Sequence, residues 1–429
     1  MSNLLCNPFC NPDMLQRLEK TFVREIAPDI WMIEGFCTTM FFLEPPSGNI
    51  FVMRDGDMVL LMDTGHHPFY RPRILDVLKK FVKEGAKELV LVMSHGHWDH
   101  GKNNDVVYQA GYEKVRFLLP ENEFATLNIQ KHMTGDMQKA MAFYDPCESM
   151  PEAFRNLIQW AKNFPEFNEP LYQDTWSKIQ SLPEKYDQQK TFEAFTSLLT
   201  NVLCPDLSTY IIDKAEPLPL NKRVKRKYGN TVVQGWPVGR FFLIHDASQS
   251  PGHICIYDPL NKFIITGDAT LEINPPFTDT DLGNCINICR ACLNMAEEGY
   301  IAMATDSHRT PQWAHTLDLW GIQPMAPVEL VDVARGNDEC VAHFRMWLEY
   351  YCALWDETVR AHAALGEATV VEILDQLKKS TNKYVLFKLS FKPPAVPIRP
   401  ENLIVNVLAE TGAERQALND RILFKPAIT

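Results

Sequence analysis

The amino-acid sequence predicts a layered α/β fold, and three observations support this. Short apolar runs recur along the chain, as in Met58–Met62 and Leu89–Met93, and such runs are typical of buried strands. Between these two runs, residues 74–81 carry apolar side chains at helical spacing, with lysines on the opposite face. Several of the runs end in aspartate or histidine. Strand, helix and strand in this order indicate sheets that are covered by helices.

The first part of the chain is expected to contain an N-terminal lead-in, residues 1–24, followed by strands. Apolar runs at Ile30–Ile33 and Asn49–Met53 predict the first two strands. An Asp-Gly-Asp turn at 55–57 predicts a hairpin between the second of these runs and the next one, because Asp-Gly favours tight turns between strands.

The pattern changes between about residues 121 and 219. Apolar residues recur there every three or four positions, and prolines interrupt them, which predicts a mainly helical insertion. Strand patterns then return, and a helix is expected within residues 281–303. The strands are expected at Thr209–Ile212, Thr231–Val233, Gly239–Ile244, Phe263–Thr266 and Ile301–Ala304.

Residues 331–429 are predicted to form an accessory C-terminal domain. Helical periodicity predicts helices over residues 342–364 and 367–379. A later apolar run, Tyr384–Leu389, predicts a strand, and another segment is expected at Leu403–Leu408, after a proline-rich stretch.

The composition is that of a globular protein, with 46% hydrophobic and 22% charged residues among 429. The formal net charge of −12 argues against a nucleic-acid partner, because phosphate binding needs a basic surface. No apolar run approaches the roughly 20 residues that span a bilayer, and the first residues do not resemble a secretory signal. Eleven cysteines without regular spacing favour reduced thiols and a cytoplasmic protein. A small-molecule substrate is the expected partner, without nucleic acid or membrane, and a homo-oligomer is left open.

One short stretch, Ser94–His100, carries most of the functional signal. It holds three of the twelve histidines and one aspartate, and it follows directly after a predicted buried strand. Imidazoles and carboxylates are the ordinary ligands of divalent transition metals. A metal site is therefore predicted here in preference to a solvated turn that is rich in histidine.

Three further residues occur in the same kind of position, just after an apolar run. They are His253 in Ser-Pro-Gly-His, Asp268 in Thr-Gly-Asp and His308 in Asp-Ser-His. Because strand ends can meet at one edge of a sheet, these side chains are expected to complete the metal site.

In combination, these motifs resemble the metallo-β-lactamase-fold superfamily. The His-x-His-x-Asp-His motif at 95–100, Pro-Gly-His, Gly-Asp and the last histidine occur in the order of that family, and Asp63-Thr64-Gly65 resembles its early Asp-x-Gly. The resemblance implies an αββα sandwich, here over residues 25–330 with the helical insertion at about 121–219.

The resemblance also implies a binuclear metal site. It would place His95, His97 and His253 on one divalent ion, and Asp99, His100 and His308 on a second, with Asp268 between the two. Zinc is the first expectation, and iron or manganese also suit these ligands. The implied reaction is hydrolysis, in which a metal-bound hydroxide attacks a small ester-like substrate, a lactone or carboxylic ester first and a thioester second. Asp99 and Asp268 are the expected catalytic residues, since they could orient the hydroxide or move its proton.

Two alternatives to this function stay open. One is a diiron redox enzyme acting on dioxygen or nitric oxide, although His97 stands where such relatives usually have glutamate. The other is a sulfate or phosphate ester hydrolase, because related sulfate-ester hydrolases also carry helical insertions and C-terminal domains. After His100, Gly101–Asn104 is closer to the form associated with lactonase-like members than to the Gly-Gly of many relatives.

Several charged residues near the motifs have both structural and functional interpretations. Arg309 is a candidate substrate-binding residue, with a structural salt bridge as the alternative. The basic run Lys222–Lys227 predicts a solvated hairpin turn or a guide for an anionic substrate. Asp63 could hydrogen-bond a ligating histidine and fix its tautomer, and His245 and Asp246 could support the site in the same way.

Overall fold

Two seven-stranded sheets form the centre of the protein. A computed structural model describes residues 23–35, 47–66, 68–161, 170–203, 208–271, 273–308, 332–390, 400–418 and 421–427. In the first sheet, the strands follow chain order, with antiparallel pairing up to the fourth strand and parallel pairing after it. These strands are β1 Val23–Ala27, β2 Ile30–Ile33, β3 Ile50–Asp55, β4 Met58–Met62, β5 Glu88–Val92, β6 Lys114–Pro120 and β7 Glu216–Leu218.

The second sheet also follows chain order, and only its β12–β13 pair is parallel. Its strands are β8 Val224–Tyr228, β9 Thr231–Val238, β10 Phe241–His245, β11 Ile254–Asp258, β12 Phe263–Ile265, β13 Met303–Thr305 and β14 Ala334–Arg335. A small separate hairpin near the C-terminus consists of β15 Glu414–Ala417 and β16 Ile422–Lys425.

The helices of the described residues fall into three groups, which cover the sheets, form the insertion and form the C-terminal region. In chain order they are α1 Tyr70–Lys83, α2 Trp98–Gly101, α3 Ile129–Ala140, α4 Met150–Ala161, α5 Pro170–Gln180, α6 Gln188–Leu198, α7 Leu282–Glu297, α8 Asn337–Leu365, α9 Val370–Leu377, α10 Lys383–Ser390 and α11 Pro400–Glu410.

The layers are helix, sheet, sheet and helix, which confirms the predicted αββα sandwich. Successive side chains of a strand point to opposite faces of the sheet, so each strand contributes to the layer between the sheets and to the layer beneath the helices. In β3, Phe51 packs between the sheets and Val52 packs outward against α1. In β10, Leu243 packs between the sheets and Phe242 packs outward against α7 and α8.

The insertion connects β6 to β7 and consists mainly of helices α3 to α6, as its spacing predicts. These helices have a core of their own, formed by residues such as Met133, Phe154, Trp176 and Phe195. Trp98, on the short helix α2, packs against this core. The insertion therefore lies against the strand-end region from which α2 emerges.

The C-terminal helices pack on helix α7 of the sandwich. Leu282 and Cys289 of α7 share one core with Trp347 of α8 and Ile404 of α11. In addition, β14 precedes α8 and extends the second sheet. The C-terminal region is thus closely packed with the sandwich, and its predicted boundary stays a prediction.

Three local predictions are wrong. Thr209–Ile212 lies in short 3-10 turns rather than a strand, and Ile211 has a left-handed backbone with φ of 47°. Tyr384–Leu389 lies in helix α10, whose buried side chains fall at helical spacing. The basic run Lys222–Lys227 lies mostly in strand β8 rather than in a turn. Lysines on such an edge strand discourage pairing with other chains.

The expected lead-in, residues 1–24, lies almost entirely outside the described residues. Among the helices that the structure describes, none combines the length and apolar character that crossing a membrane requires.

Candidate metal centre

The seven residues expected as metal ligands all lie at strand ends. The motif at 95–100 follows β5, His253 directly precedes β11, Asp268 follows β12 and His308 follows β13. The two sheets face each other, so these ends meet at one edge of the sandwich. Backbone hydrogen bonds join the loops there, since Ile254 donates to the carbonyl of Ser94 (2.9 Å).

Four of the seven residues form a buried group that we call the ligand cluster: Asp99, His100, Asp268 and His308. One potential ligand atom of each lies within 4.8 Å of those of the other three. His308 Nε2 is 3.3 Å from Asp99 Oδ2 and 3.2 Å from Asp268 Oδ2. His100 Nε2 is 3.5 Å from each of the same two oxygens. This geometry suits one cation between two imidazoles and two carboxylates.

The other three histidines adjoin the ligand cluster, and we call them the histidine group: His95, His97 and His253. His95 Nε2 lies 3.6 Å from Asp268 Oδ2 and 2.9 Å from His97 Nδ1. The rings of His95 and His253 are 5.2 Å apart, and His253 Nε2 accepts a hydrogen bond from the Asp268 backbone N–H (3.0 Å). The structure therefore brings all seven residues together, and their assignment to two metal ions stays a prediction.

The histidines of the site differ in their electrostatics. Burial, together with neighbouring histidines, lowers the pKa of His95 well below its usual value, and burial lowers that of His97 to about 3. Burial also opposes charge on His308, but Asp268 and Asp99 raise its pKa to about 10. Burial opposes charge on His253 as well, but Asp246 raises its pKa. Thus His95 and His97 supply neutral nitrogen donors, while His253 and the ligand cluster favour positive charge.

Asp63 supports His100 from behind, as the sequence suggests. Its carboxylate lies 2.9 Å from His100 Nδ1, and it also accepts hydrogen bonds from the Ser94 backbone N–H (2.7 Å) and hydroxyl (2.8 Å). This contact leaves His100 Nε2 facing the ligand cluster. A carboxylate in this position fixes the tautomer and the ring orientation of a metal-binding histidine.

Asp246 supports His253 in the same manner, whereas the hydrogen bonds of His245 go elsewhere. Asp246 Oδ1 is 2.8 Å from His253 Nδ1. His245 contacts the Arg223 guanidinium (2.7 Å) and the Pro251 carbonyl (3.0 Å). Of the two suggested residues, Asp246 is the one that orients a histidine.

The residues after His100 have a structural role. Asn103 donates from its side chain to the Thr64 carbonyl (2.9 Å), and the Thr64 hydroxyl donates to Asn104 Oδ1 (2.8 Å). These bonds fasten the 63–65 turn, and with it Asp63, to helix α2 and the residues that follow it. The Gly101–Asn104 run therefore contributes to the placement of the ligands.

The insertion contributes His132 to a wall beside His97, and Phe277, which precedes α7, completes it. The Phe277 ring packs on His97 (4.8 Å between ring centroids) and on His132 of α3 (5.3 Å). His132 is fixed by Asp279, with 2.9 Å between Nε2 and Oδ2. No sequence motif contains His132, and the position of helix α3 brings it to the site.

The C-terminal region supports the loop after Asp268. The Tyr351 hydroxyl, on helix α8, accepts hydrogen bonds from Leu271 N (3.0 Å) and Asn274 Nδ2 (3.1 Å), and it lies 2.9 Å from the Ala269 carbonyl. Asn274 Nδ2 also donates to the Asp268 carbonyl (2.7 Å). A buried tyrosine 82 positions from Ala269 in sequence therefore holds this loop.

The residues present fit a bound metal. Within the seven expected ligand residues, three buried polar atoms have no hydrogen-bond partner among the described residues, namely His97 Nε2, His100 Nε2 and Asp268 Oδ1. Buried polar atoms normally have a partner, so those of the ligand cluster are available to a bound cation. Imidazole and carboxylate donors are suitable for zinc, iron or manganese. Arg309, the candidate substrate-binding residue, lies outside the described residues, and its role stays a prediction.

Sequence reasoning missed three supporting residues: His132, Tyr351 and Glu123, a buried carboxylate that accepts hydrogen bonds from the Gly96 and Gly252 backbone N–H groups. A signal existed for Glu123, because it follows the end of β6 as the ligands follow other strands. His132 and Tyr351 lie on helices at ordinary core spacing, so no local pattern distinguishes them.

No family model matches the sequence, and no curated protein matches it. Among solved structures, the chain is similar to a β-lactamase domain protein from Burkholderia ambifaria, with 14% identity and a TM-score of 0.48 over 94% of this chain and 93% of that one. A metallo-β-lactamase family protein from Thermus thermophilus is 16% identical, with a TM-score of 0.42 over 94% of this chain and 100% of that one. A sec-alkylsulfatase from Pseudomonas sp. is 14% identical, with a TM-score of 0.48 over 94% of this chain and 52% of that one. This chain therefore spans about half of that protein. Metallo-β-lactamase family proteins are thus among its structural neighbours, as the sequence motifs predict.

Proposed function

We propose that the chain is a metal-dependent hydrolase that binds two divalent metal ions and cleaves small ester-like substrates. Lactones or carboxylic esters are the first expectation, and thioesters are the second. The observation that carries the proposal is the ligand cluster, in which four buried ligand residues converge within 4.8 Å. The histidine group beside it offers the donors for a second ion.

Bound divalent ions would supply Lewis acidity and lower the pKa of a water molecule, so the site needs no side-chain nucleophile. Two such ions bring four positive charges, and Asp99 and Asp268 offset two of them. The remaining positive charge suits an oxyanion that develops on the substrate carbonyl.

The chain's own residues orient the ligands of this centre and can transfer protons within it. Asp63 and Asp246 fix His100 and His253, through contacts to Nδ1 of 2.9 Å and 2.8 Å respectively. Asp99 and Asp268 are the carboxylates within the ligand cluster that can hold or accept a proton during turnover. The two pairs of residues therefore have separate roles, orientation and proton transfer.

The wall beside His97 supports a small organic substrate. Phe277 and the buried His132 form it, and Trp98 of α2 packs against the insertion core. Such a wall suits an apolar substituent, and the net charge of −12 disfavours a polyanion such as nucleic acid. Zinc is the proposed metal, with iron or manganese as alternatives.

The test combines metal analysis with a hydrolysis panel. Purified protein is analysed for zinc, iron and manganese by mass spectrometry, and then assayed on lactones, carboxylic esters, thioesters, phosphodiesters and sulfate esters. We expect two metal ions per chain and turnover of an ester that a chelator abolishes. Asp268→Ala should lose the activity and lower the metal content, while Lys79→Ala, at an exposed position of α1, should change neither.

The remaining outcomes decide between the alternatives. Turnover of sulfate or phosphate esters alone would move the assignment to that class. Iron with consumption of dioxygen or nitric oxide would support a redox enzyme instead. Protein without bound metal, or full activity in Asp268→Ala, would overturn the proposal.

A further inference from the structure

Glu123 is a fully buried carboxylate at the start of the insertion. It lies in the turn Glu121–Ala125, directly after β6. Four donors surround it, two on each carboxylate oxygen. A buried carboxylate with this many hydrogen bonds serves a specific purpose, because burial of its charge is otherwise unfavourable.

Each oxygen of Glu123 holds one ligand-bearing loop. Oε1 accepts from the Gly96 backbone N–H (2.5 Å) and from the Thr126 hydroxyl. Oε2 accepts from the Gly252 backbone N–H (2.7 Å) and from the Ser250 hydroxyl (2.8 Å). Gly96 stands between His95 and His97, and Gly252 directly precedes His253. One side chain therefore joins the two loops that carry the histidine group.

The two glycines make this contact possible. A Cβ at Gly96 would lie 2.8 Å from Glu123 Oε1, and a Cβ at Gly252 would lie 2.6 Å from Oε2. Any larger residue would push the backbone away from the carboxylate. The glycines and Glu123 thus form one unit that brings loops from the two sheets together.

We propose that Glu123 is the positioning residue of the histidine group: it sets the separation of His95 and His97 from His253 and thereby the affinity of that group for a metal ion. This rests on the proposed function, because it assumes that the histidine group binds metal. Glu123 itself faces loop backbone and hydroxyl donors, and it is not proposed as a ligand.

Glu123→Gln tests the proposal, because it preserves the shape of the side chain and replaces one acceptor oxygen by an amino group that faces two donors. We expect zinc binding to the histidine group to weaken by about 10- to 100-fold, as for other partners that support metal-binding histidines. The measurement is a zinc titration of metal-free protein against a chromophoric chelator. Raising the zinc concentration should restore the hydrolytic activity of the variant.

Asp258→Asn is the matched control. Asp258 is also a buried carboxylate, bonded by Arg240 (3.0 Å), but it lies at the far end of β11 from His253. This variant should lower the stability of the protein and leave its zinc affinity unchanged. A general loss of folding is thereby separated from a loss of ligand positioning.

A second variant covers the case in which Glu123→Gln does not fold. Ser250→Ala leaves the carboxylate in place and removes one of its donors, so a loss of about three- to tenfold in zinc affinity is expected. Wild-type affinity in Glu123→Gln, or in Ser250→Ala where only that variant folds, would overturn the role of Glu123. Wild-type protein that binds no zinc, iron or manganese would instead overturn the proposed function.

Discussion

Replacing Tyr351 by phenylalanine removes one hydroxyl from the contact between helix α8 and the loop after Asp268. The hydroxyl accepts hydrogen bonds from Leu271 N and Asn274 Nδ2, and it donates toward the carbonyls of Ala269 (2.9 Å) and Leu271 (3.1 Å). The phenyl ring keeps the packing of Tyr351 in the C-terminal core. The substitution therefore isolates the contribution of the hydrogen bonds.

The magnitude follows from what each group loses. The backbone N–H of Leu271, a buried residue, would lose the partner it has in Tyr351, and an unsatisfied buried donor costs about 1–3 kcal/mol. The Asn274 side chain keeps its hydrogen bond to the Asp268 carbonyl, so losing its bond to Tyr351 costs less free energy. The hydroxyl's own donated bond adds about 1 kcal/mol. We expect a decrease of roughly 2–4 kcal/mol in the free energy of unfolding.

The assay is urea denaturation of metal-free protein, with Tyr384→Phe as the matched control. The Tyr384 hydroxyl bonds to Glu349 Oε2 (2.8 Å) at a partly exposed position, and its removal should cost only about 0.5–1.5 kcal/mol. If Tyr351→Phe costs no more than Tyr384→Phe, the reasoning about the loop is refuted. A bound metal should widen the difference, since Asp268 belongs to the ligand cluster.

Two further predictions concern carboxylates. Asp246→Asn should weaken zinc binding by about 10- to 100-fold in the same chelator titration, because the group 2.8 Å from His253 Nδ1 is then no longer charged. An unchanged zinc affinity would contradict this prediction. Burial and Asp281 raise the pKa of Glu410 to about 7, so the folded protein holds a proton on Glu410 more tightly than the unfolded chain does. Its stabilising contribution is full below the ordinary value of 4.5 and is lost as the pH rises to about 7. Glu410→Gln should therefore flatten the decline of the urea midpoint across this range, and an equally steep decline would contradict the prediction.

The sequence predicts the sandwich well because its signals are local. Strand β5 is a short aliphatic run, the hairpin between β3 and β4 has an Asp-Gly turn, and α1 has a clear apolar face. The same local reasoning fails at Tyr384–Leu389, where a nearly continuous apolar run fits a strand and a buried helix equally well. This run forms helix α10, and its side chains Tyr384, Val385 and Phe387 are buried in the C-terminal core together with residues of α8.

The candidate ligands were predictable for a related reason. Each lies at the end of a strand, so knowledge of the strands locates the edge at which the ligands meet. Their supports were predictable only in part. Asp63 follows β4, the strand next to β5, whereas Glu123 and Tyr351 act across 129 and 82 positions of sequence. Such contacts depend on how the insertion and the C-terminal helices pack, and no periodicity encodes that packing.

The loop after Asp268 is the point at which these separate parts meet. On one side, Asp136 of the insertion accepts hydrogen bonds from the backbone and the hydroxyl of Thr278. On the other side, Tyr351 contacts Ala269, Leu271 and Asn274, and Asn402 of α11 donates to the Pro276 carbonyl (2.7 Å). Because this loop begins at a residue of the ligand cluster, the insertion and the C-terminal helices both help to place a predicted metal ligand. Changes in either region that reshape the wall beside His97 should therefore also move Asp268, so we predict that they alter the proposed metal binding as well.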